Sequence, residues 1–294
     1  MEFRDLREKA ERIIEGTKEW VKKKNLLDSS KKLEEVEDLV KDLNKIATND
    51  VQVKAVSRLR DQLEYLAEDI DEILSKREAG KQGDGNMAFK CNWNDKHYKE
   101  VCSKEAYEFN INEGRAWCSS PQCRCREYLG SELTLDNYPC YESIALKEMH
   151  YGAGWDHKSG INKPRHIHNG RENKIAVLTT RPPNTEEKDR LIVGCLYIDK
   201  IQDDPGAETK LYTDKKKSIE VDYDNVKVKF WDYYKNAGNE ELILWASGLF
   251  RYITDETVLN ILKGIGEKYK NSGKDTKKII DLIKYYEEVI QSKK

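Results

Sequence analysis

The sequence has no long apolar run and no excess of charge of one sign. None of its segments approaches the roughly 20 consecutive apolar residues that a membrane-spanning helix needs. Its 52 basic and 54 acidic side chains leave a formal net charge of −2, so the whole chain lacks the basic field typical of many nucleic-acid-binding proteins. The charged start, MEFRDLREKAERI, contains no apolar signal-peptide core. We therefore expect a cytoplasmic protein without a membrane partner, in which any basic face is local.

The motifs of several enzyme classes are also missing. The sequence contains no G-x-x-x-x-G-K-[ST] phosphate-binding loop, no G-x-G-x-x-G dinucleotide fingerprint, no G-x-S-x-G elbow and no H-E-x-x-H metal motif. The H-x-E and P-C-x-x-C spacing of zinc deaminases is absent too. No residue is therefore assigned a catalytic role, and enzymatic activity is left open rather than favoured.

Residues 2–77 interleave charged and apolar side chains at helical spacing. Apolar stripes with intervals of three and four run through residues 6–21, 33–46 and 53–74. These stripes predict either a helical hairpin or bundle, or an oligomerising coiled coil, because the last stripe keeps heptad spacing for about three heptads. We expect residues 1–78 to form a helical arm that binds a second copy of the chain or an effector protein.

Cysteine is the residue type that this polar chain concentrates in one place. Six of its seven cysteines lie in residues 87–145, directly after a glycine-rich linker at residues 79–86. In a reducing compartment this clustering favours a metal over disulfides, although buried cysteines without a metal and an iron–sulfur cluster stay open as alternatives. Four thiolates would form a closed, structural zinc site. The expected ligands are Cys102, Cys118, Cys123 and Cys125, with Cys91, His97 and Cys140 as alternates.

Two apolar runs mark the centre of a β domain. Residues 175–180 are apolar and β-branched, and residues 191–198, LIVGCLYI, are apolar enough to be buried on both faces. The connection RPPNTEEKDR ends the first strand, because proline cannot donate to a strand ladder. Shorter strands are expected within residues 218–228. The chain should close with helices in residues 256–294, capped by residues such as Thr254.

Residues 147–173 combine basic groups, histidines and aromatic rings. This mixture suits an anionic ligand with stackable rings, because guanidinium groups bind phosphates and aromatic rings stack on bases. A solvated loop is the alternative. His166 and His168 alternate and would share one face of a strand, which keeps a nuclease or another hydrolase as a less favoured hypothesis.

The stretch IAVLTTRPPNTEEKDRLIVGCLYIDKI, followed by FWDYY and LWASGLFRY, resembles the β-barrel of the PUA-like superfamily. Within it, the chain is most similar to the EVE and YTH kind of domain found in bacterial modification-dependent restriction and defence systems. The similarity covers residues 146–255 and consists of a strand, a polar loop with an E-x-D-R-like end, and a second strand with a central glycine. The positions that carry it are Glu187, Asp189, Arg190, Ile192, Gly194 and Ile198.

This resemblance implies recognition of a nucleobase, often a modified one, flipped into an aromatic-lined pocket. The rings expected to contact the base are Trp155, Trp231, Tyr233 and Trp245. The expected phosphate contacts are Lys163, Arg165, Arg171, Arg181 and Arg190. Arg190 has an alternative role as an internal partner of Asp189 or Glu187.

The sequence thus predicts an α+β protein with a helical arm, a small zinc-braced cysteine module, a PUA-like mixed β-barrel and C-terminal helices. The expected boundaries are 1–78, 79–86, 87–145, 146–255 and 256–294. The expected function is nucleic-acid recognition, in DNA or RNA, for a defence or regulatory system. A protein–protein adaptor that binds no nucleic acid is the alternative.

Overall fold

The computed structural model describes residues 2–23, 25–79, 84–112, 118, 142, 145–156, 163–236, 243–245 and 249–292. Over these residues the chain is an α+β protein that divides into two compact units. The helical unit comprises Met1–Lys81, Asn112–Gly114 and Lys235–Gly248. The β unit comprises Gln82–Ile111, Arg115–Tyr234 and Leu249–Lys294. The first division falls inside the expected linker, whereas the segment that contains Trp245 belongs to the helical unit and not to the expected β domain.

The part of the helical unit that the structure describes contains three helices: α1 (Phe3–Lys22), α2 (Leu26–Ile46) and α3 (Asp50–Ala79). Their apolar stripes meet in one core, to which Leu244 also contributes. Asn49 starts α3 in the manner of an N-cap, since its Oδ1 accepts a hydrogen bond of 3.0 Å from the Gln52 amide. The three helices therefore form a bundle within one chain, which is one of the two arrangements that the periodicity allows. No helix in the described part of the chain is long and apolar enough to cross a membrane.

A mixed sheet with strand order β2-β7-β6-β5-β1-β9 forms the centre of the β unit. The strands are β1 (Asn86–Cys91), β2 (His150–Gly152), β5 (Ile175–Thr180), β6 (Leu191–Gln202), β7 (Lys210–Thr213), β8 (Ile219–Glu220) and β9 (Phe250–Ile253), and β8 pairs with β6. Strands β3 (Trp155–Asp156) and β4 (Lys163–Pro164) form a separate ladder. β1 and β5 run parallel, and their neighbours in the sheet run antiparallel.

The two central strands are confirmed, because β5 spans the predicted residues and β6 begins at the predicted one. β6 continues to Gln202 beyond a break in its register between Ile198 and Lys200. Of the short strands expected within residues 218–228, one is present, at Ile219–Glu220. β1 lies almost entirely among the residues expected to form the cysteine module, yet it pairs with both β5 and β9 within the sheet.

The sheet curls over its own inner face. Phe89 of β1 and Tyr151 of β2 are separated by three strands in the sheet order, but their ring centroids lie 4.9 Å apart. The Cys91 thiol also reaches the Tyr151 hydroxyl at 3.4 Å. Side chains that alternate inward along β1, β5 and β6 fill the enclosed core, among them Met87, Leu178 and Val193. The β unit is therefore a curled half-barrel.

Among the described residues, four further helices belong to the β unit: α4 (Lys104–Asn112, whose last residue lies in the helical unit), α5 (Ala145–Glu148), α6 (Asp255–Asn271) and α7 (Lys277–Gln291). Thr254 caps α6 as predicted, since its Oγ1 accepts a hydrogen bond of 3.1 Å from the Thr257 amide. Burial alone would raise the pKa of Asp255. Hydrogen bonds from Lys174, Tyr286 and Asn86 outweigh this effect and keep the pKa below its usual value. This satisfied network attaches both C-terminal helices to β1.

Candidate nucleic-acid interface

Trp155 is the solvent-exposed ring among the four expected to contact a base. It lies on β3 with 37% of its surface exposed, and β4 pairs beside it, with Trp155 opposite Pro164 and Asp156 opposite Lys163. Lys163 is exposed and Arg165 follows directly after β4. We call β3, β4 and Arg165 the Trp155 hairpin. It carries one large ring and two cations on a short ladder; because side chains alternate along a strand, Lys163 and Arg165 lie on the other face from Pro164, the partner of Trp155.

Backbone hydrogen bonds fix the position of the Trp155 hairpin against the sheet. The Arg165 amide donates to the Gly154 carbonyl at 3.0 Å, and the Thr209 amide donates to the Arg165 carbonyl at 3.1 Å. The Ala153 amide donates to the Thr209 carbonyl at 2.9 Å, so both sides of the hairpin are bonded to the residue that precedes β7. The backbone that carries Trp155 and Arg165 is therefore fixed, a favourable arrangement for a binding site.

The other three expected rings pack against the protein, with Trp231 and Trp245 buried and Tyr233 half-buried. Trp231 is 9% exposed, and its indole Nε1 donates to Glu187 Oε1 at 3.2 Å. The Tyr233 ring lies over α6 at Gly264, where an added Cβ would come within 2.8 Å of its Cε1 atom and closer still to its hydroxyl. Trp245 is buried and belongs to the helical unit. These positions give Trp231, Tyr233 and Trp245 packing roles in the structure described.

Arg190 pairs with Glu187 inside the protein, which is one of the internal partners that the sequence left open. The side chain is fully buried, its Nη2 donates to Glu187 Oε2 at 2.8 Å, and its Nε donates to Glu187 Oε1. Burial alone would raise the pKa of Glu187, but the charge and hydrogen bonds of Arg190 outweigh burial and lower it to about 2. In this structure the buried guanidinium is therefore not exposed to the solvent, where a phosphate would bind.

Asp189 completes the internal pairing of the E-x-D-R segment. Its Oδ1 accepts from Lys229 Nζ at 2.7 Å, and the Arg190 amide bonds the Glu187 carbonyl in a short 3₁₀ turn. The charged groups that carry the family resemblance therefore hold the turn that leads into β6. They stabilise the entry to this strand and do not form an anion-binding surface.

Arg171 and Arg181 lie at opposite ends of the parallel strands. The Arg171 side chain crosses Gly85, where an added Cβ would meet its Cβ at 2.9 Å, directly before β1 starts. Arg181 follows the last residue of β5, and its charge contributes to the low pKa of Glu187. Since β1 and β5 run in the same direction, these two arginines cannot contact one phosphate together.

His166 forms a side-chain pair that the sequence did not reveal. Its Nδ1 lies 2.7 Å from Asp203 Oδ1, which also accepts a hydrogen bond from Thr209 Oγ1. These hydrogen bonds lower the pKa of Asp203; the bond from Thr209 has the larger effect and the one with His166 the next largest. The His168 ring stacks 6.3 Å from that of His166. His166 and Asp203 are 37 residues apart; β6 pairs with β7, and Thr209 before β7 bonds to Arg165 and Ile167, the residues on either side of His166.

Two of the expected zinc ligands share one buried cluster. Cys102 and Cys118 pack with Ala106 and Tyr107, and Asn92 Nδ2 donates to the Cys118 sulfur at 3.3 Å. Cys123, Cys125 and Cys140 lie outside the described residues. Among the residues that are described, no group of three or more metal-binding side chains occurs.

The two described alternates are engaged elsewhere. Cys91 faces the inside of the half-barrel, where burial raises the pKa of its thiol and so opposes the thiolate form that binds metals. His97 Nε2 lies 2.8 Å from Asp224 Oδ2, and its ring stacks against Tyr223 with centroids 4.7 Å apart. The geometry therefore favours Cys102 and Cys118 over Cys91 and His97 as ligands.

Comparison of the chain with protein-family models, with curated proteins and with solved structures gave no match.

Proposed function

We propose that the protein is a nucleic-acid recognition module that reads a base, modified or unmodified, in DNA or RNA. The supporting observation is the Trp155 hairpin, which carries a large exposed ring, the exposed Lys163 and Arg165 on one short, fixed ladder. Stacking of a base on an aromatic ring contributes roughly 1–3 kcal/mol, and flanking cations supply the phosphate contacts that dominate affinity. A ring with more than a third of its surface in water contributes less to the core than a buried one, which favours a role in binding.

The family resemblance supports the same function. A curled mixed sheet with helices at the C-terminal end is compatible with a PUA-like barrel of the EVE and YTH kind, and we propose that this is the fold of the β unit. In that setting the ligand would be a base displaced from its stack, at a cost of a few kcal/mol, and the wider context would be a defence or regulatory system.

A binding titration tests the function. We would measure affinities for single- and double-stranded DNA and RNA, with and without modified cytosine or adenine, over a series of salt concentrations. We expect affinity to fall as salt rises, and Trp155→Ala to weaken binding about tenfold because a stacked base is lost. Lys163→Gln should reduce the slope of log affinity against log salt by about 1.

Matched variants separate binding from folding. Ile280→Ala removes another exposed apolar side chain, on α7, and Lys216→Gln removes an exposed lysine in a turn. Both should bind as the unmodified protein does. If no nucleic acid binds at any salt concentration while the protein is folded, the recognition module is ruled out and the adaptor takes its place.

We further propose that a structural zinc ion braces the cysteine module through Cys102, Cys118, Cys123 and Cys125. The shared burial of Cys102 and Cys118 supports this ligand set. Metal analysis of the purified protein should give one zinc per chain, lost in Cys102→Ser but kept in Cys195→Ser. Cys195 is a suitable control because burial within β6 raises the pKa of its thiol to about 12. Equal metal contents in the two variants would contradict the proposed ligands.

The adaptor alternative has one observation in its favour. At the junction of α2 and α3, Val51 is 76% exposed, and Val53 and Ile46 are exposed as well. These side chains would suit a contact with a second copy of the chain or with an effector protein. Light scattering of the unmodified protein and of Val51→Lys would show whether this end of the bundle mediates self-association.

A further inference from the structure

The outer face of strands β2, β7 and β6 carries a row of aromatic and basic side chains. His150 of β2 is opposite Tyr212 of β7, and Tyr212 is opposite Lys200 of β6. Their sequence neighbours Tyr151 and Leu211 are buried in the half-barrel, so alternation along the strands directs this row to the outside. Lys210 and Gln202 form the next row, two residues further along. We call these two rows the Tyr212 face.

Tyr212 is the exposed ring of this face. It has 38% of its surface in solvent, and its hydroxyl donates to Gln202 Oε1 at 3.0 Å. The His150 ring lies beside it, with centroids 6.2 Å apart and an angle of 38° between the planes. The hydrogen bond holds one edge of the Tyr212 ring while its surface stays open, which favours stacking over packing.

The charges on the Tyr212 face suit an anionic partner. Neither Lys200 nor Lys210 forms an ion pair within the described part of the chain, and Lys200 is exposed. The acidic neighbours include Glu148, whose Oε2 lies 3.3 Å from His150 Nδ1, the exposed Asp199, and Asp204, which accepts a hydrogen bond from the Gln202 side chain. Two ammonium groups beside an open ring combine phosphate contacts with base stacking, the two elements of single-strand recognition.

The Tyr212 face adjoins the Trp155 hairpin. Gly152, opposite Lys210, is three residues before Trp155, and His150 is five residues before it. Five residues of extended chain span at most about 16 Å. This separation is within the reach of a single strand of a few nucleotides. A duplex could not stack on the two rings in this way, because its bases are enclosed between neighbouring base pairs.

We propose that the Tyr212 face is a second stacking site and that the ligand is single-stranded nucleic acid that runs from Trp155 to Tyr212. This rests on the proposed function and adds the strandedness of the ligand. His150, Lys200, Lys210 and Tyr212 are the residues that contact it, Tyr212 through a base and the lysines through phosphates. Parallel titrations with DNA and RNA strands distinguish which of the two binds.

The test compares short and long single strands. We would titrate oligothymidylate and oligouridylate of about 4 and about 12 nucleotides, a range that matches single-strand sites. We expect the long strand to bind at least tenfold more tightly than the short one. Tyr212→Ala should weaken binding of the long strand about tenfold and of the short strand by at most about twofold, since the short strand can still use Trp155.

Controls distinguish the possible failures. Tyr212→Phe keeps the ring and should restore the affinity for the long strand, and thermal unfolding should show that each variant folds. Lys210→Gln should lower the salt slope by about 1, whereas Lys216→Gln should not. If Trp155→Ala weakens binding and Tyr212→Ala does not, the second stacking site is overturned but the proposed function stands. If no oligonucleotide of either length binds, both are overturned.

Discussion

Glu187 shows how a charged sequence motif can serve the fold instead of a ligand. Its carboxylate accepts hydrogen bonds from Arg190 and from the Trp231 indole, and only 13% of the side chain is exposed. Removal of either partner of such a pair leaves a buried charge without compensation. The E-x-D-R segment is therefore a site at which substitutions act on stability.

We expect Glu187→Ala to lower the free energy of unfolding by about 3–5 kcal/mol, because the buried Arg190 charge loses its partner. Glu186→Ala is the matched control, one residue earlier. Its carboxylate pairs with Lys188 on the surface, where both side chains are more than half exposed, and we expect a change of at most about 0.5 kcal/mol. Chemical denaturation of both variants measures the difference. Similar losses in the two variants would contradict a stabilising role of the buried pair.

The same carboxylate makes stability depend on pH in a defined window. The pKa of Glu187 is about 2 in the folded protein, below the ordinary value of 4.5. Its contribution to the free energy of unfolding is therefore complete above pH 4.5 and is lost as the pH falls towards 2. We expect Glu187→Gln to flatten the fall in stability between pH 4.5 and pH 2. Denaturant titrations at several pH values would show this, and an unchanged slope would refute it.

At the scale of elements, the Tyr233 side chain packs so closely against α6 that it restricts which residue can occupy one position of the helix. Gly264 is where Tyr233 meets the helix, and an added Cβ would overlap the Tyr233 ring. Gly266, two residues later, has its nearest neighbour at 3.5 Å, an ordinary contact. Because glycine is a poor helix former in both places, only the close approach of Tyr233 distinguishes the two positions.

We expect Gly264→Ala and Gly266→Ala to change stability in opposite directions. Gly266→Ala should raise the free energy of unfolding by up to about 1 kcal/mol, as alanine favours the helix. Gly264→Ala should lower it by about 1–3 kcal/mol, because the Tyr233 ring must move. Tyr233→Leu combined with Gly264→Ala should recover most of the loss. A stabilising Gly264→Ala would show that the ring moves at little cost.

The sequence predicts some elements well for a physical reason. β5 and β6 are apolar on both faces, so composition alone marks them as the buried centre of a sheet. β1, with the short sequence NMAFKC, follows a linker and joins the sheet only through partners far along the chain. Local patterns carry no information about such partners, so the sequence alone places β1 in the cysteine module.

The residues of the candidate site also divide into those that the sequence predicts and those that it does not. Composition identifies Trp155, Lys163 and Arg165, because basic and aromatic residues are concentrated in that segment. Asp203, Tyr212 and Lys200 come to the site only through strand pairing, so no local spacing predicts them. The aromatic run after β8 is dense enough to suggest a pocket, but Trp231 and Tyr233 are used in packing.

At the scale of the whole molecule, neither unit is a continuous piece of chain. Lys235–Gly248 returns to the helical unit after most of the β unit has been completed. Within it, Leu244 is buried in the same core as α1, α2 and α3, whereas the adjacent Ile243 is 38% exposed. The bundle therefore depends on a segment that is distant in sequence.

We expect Leu244→Ala to destabilise the helical unit by about 2–4 kcal/mol, because it leaves a cavity among the three helices. Ile243→Ala, at the exposed neighbour, should have a much smaller effect. Hydrogen exchange followed by mass spectrometry would locate the change, with faster exchange expected in α1–α3 and the amides of β5 and β6 as the reference. Equal protection of α1–α3 in the two variants would show that Leu244 contributes little to the bundle.

The pairing of β1 also sets an order of events when the protein is made. Its parallel partner β5 lies 89 residues further along the chain. Ribosomes add roughly 5–20 residues per second, so β1 leaves the ribosome about 5–20 s before β5 and longer before β9. During that interval an apolar strand has neither of its two neighbours in the sheet. The nascent β unit is thus open to wrong pairing or to chaperones until its last strand has been synthesised.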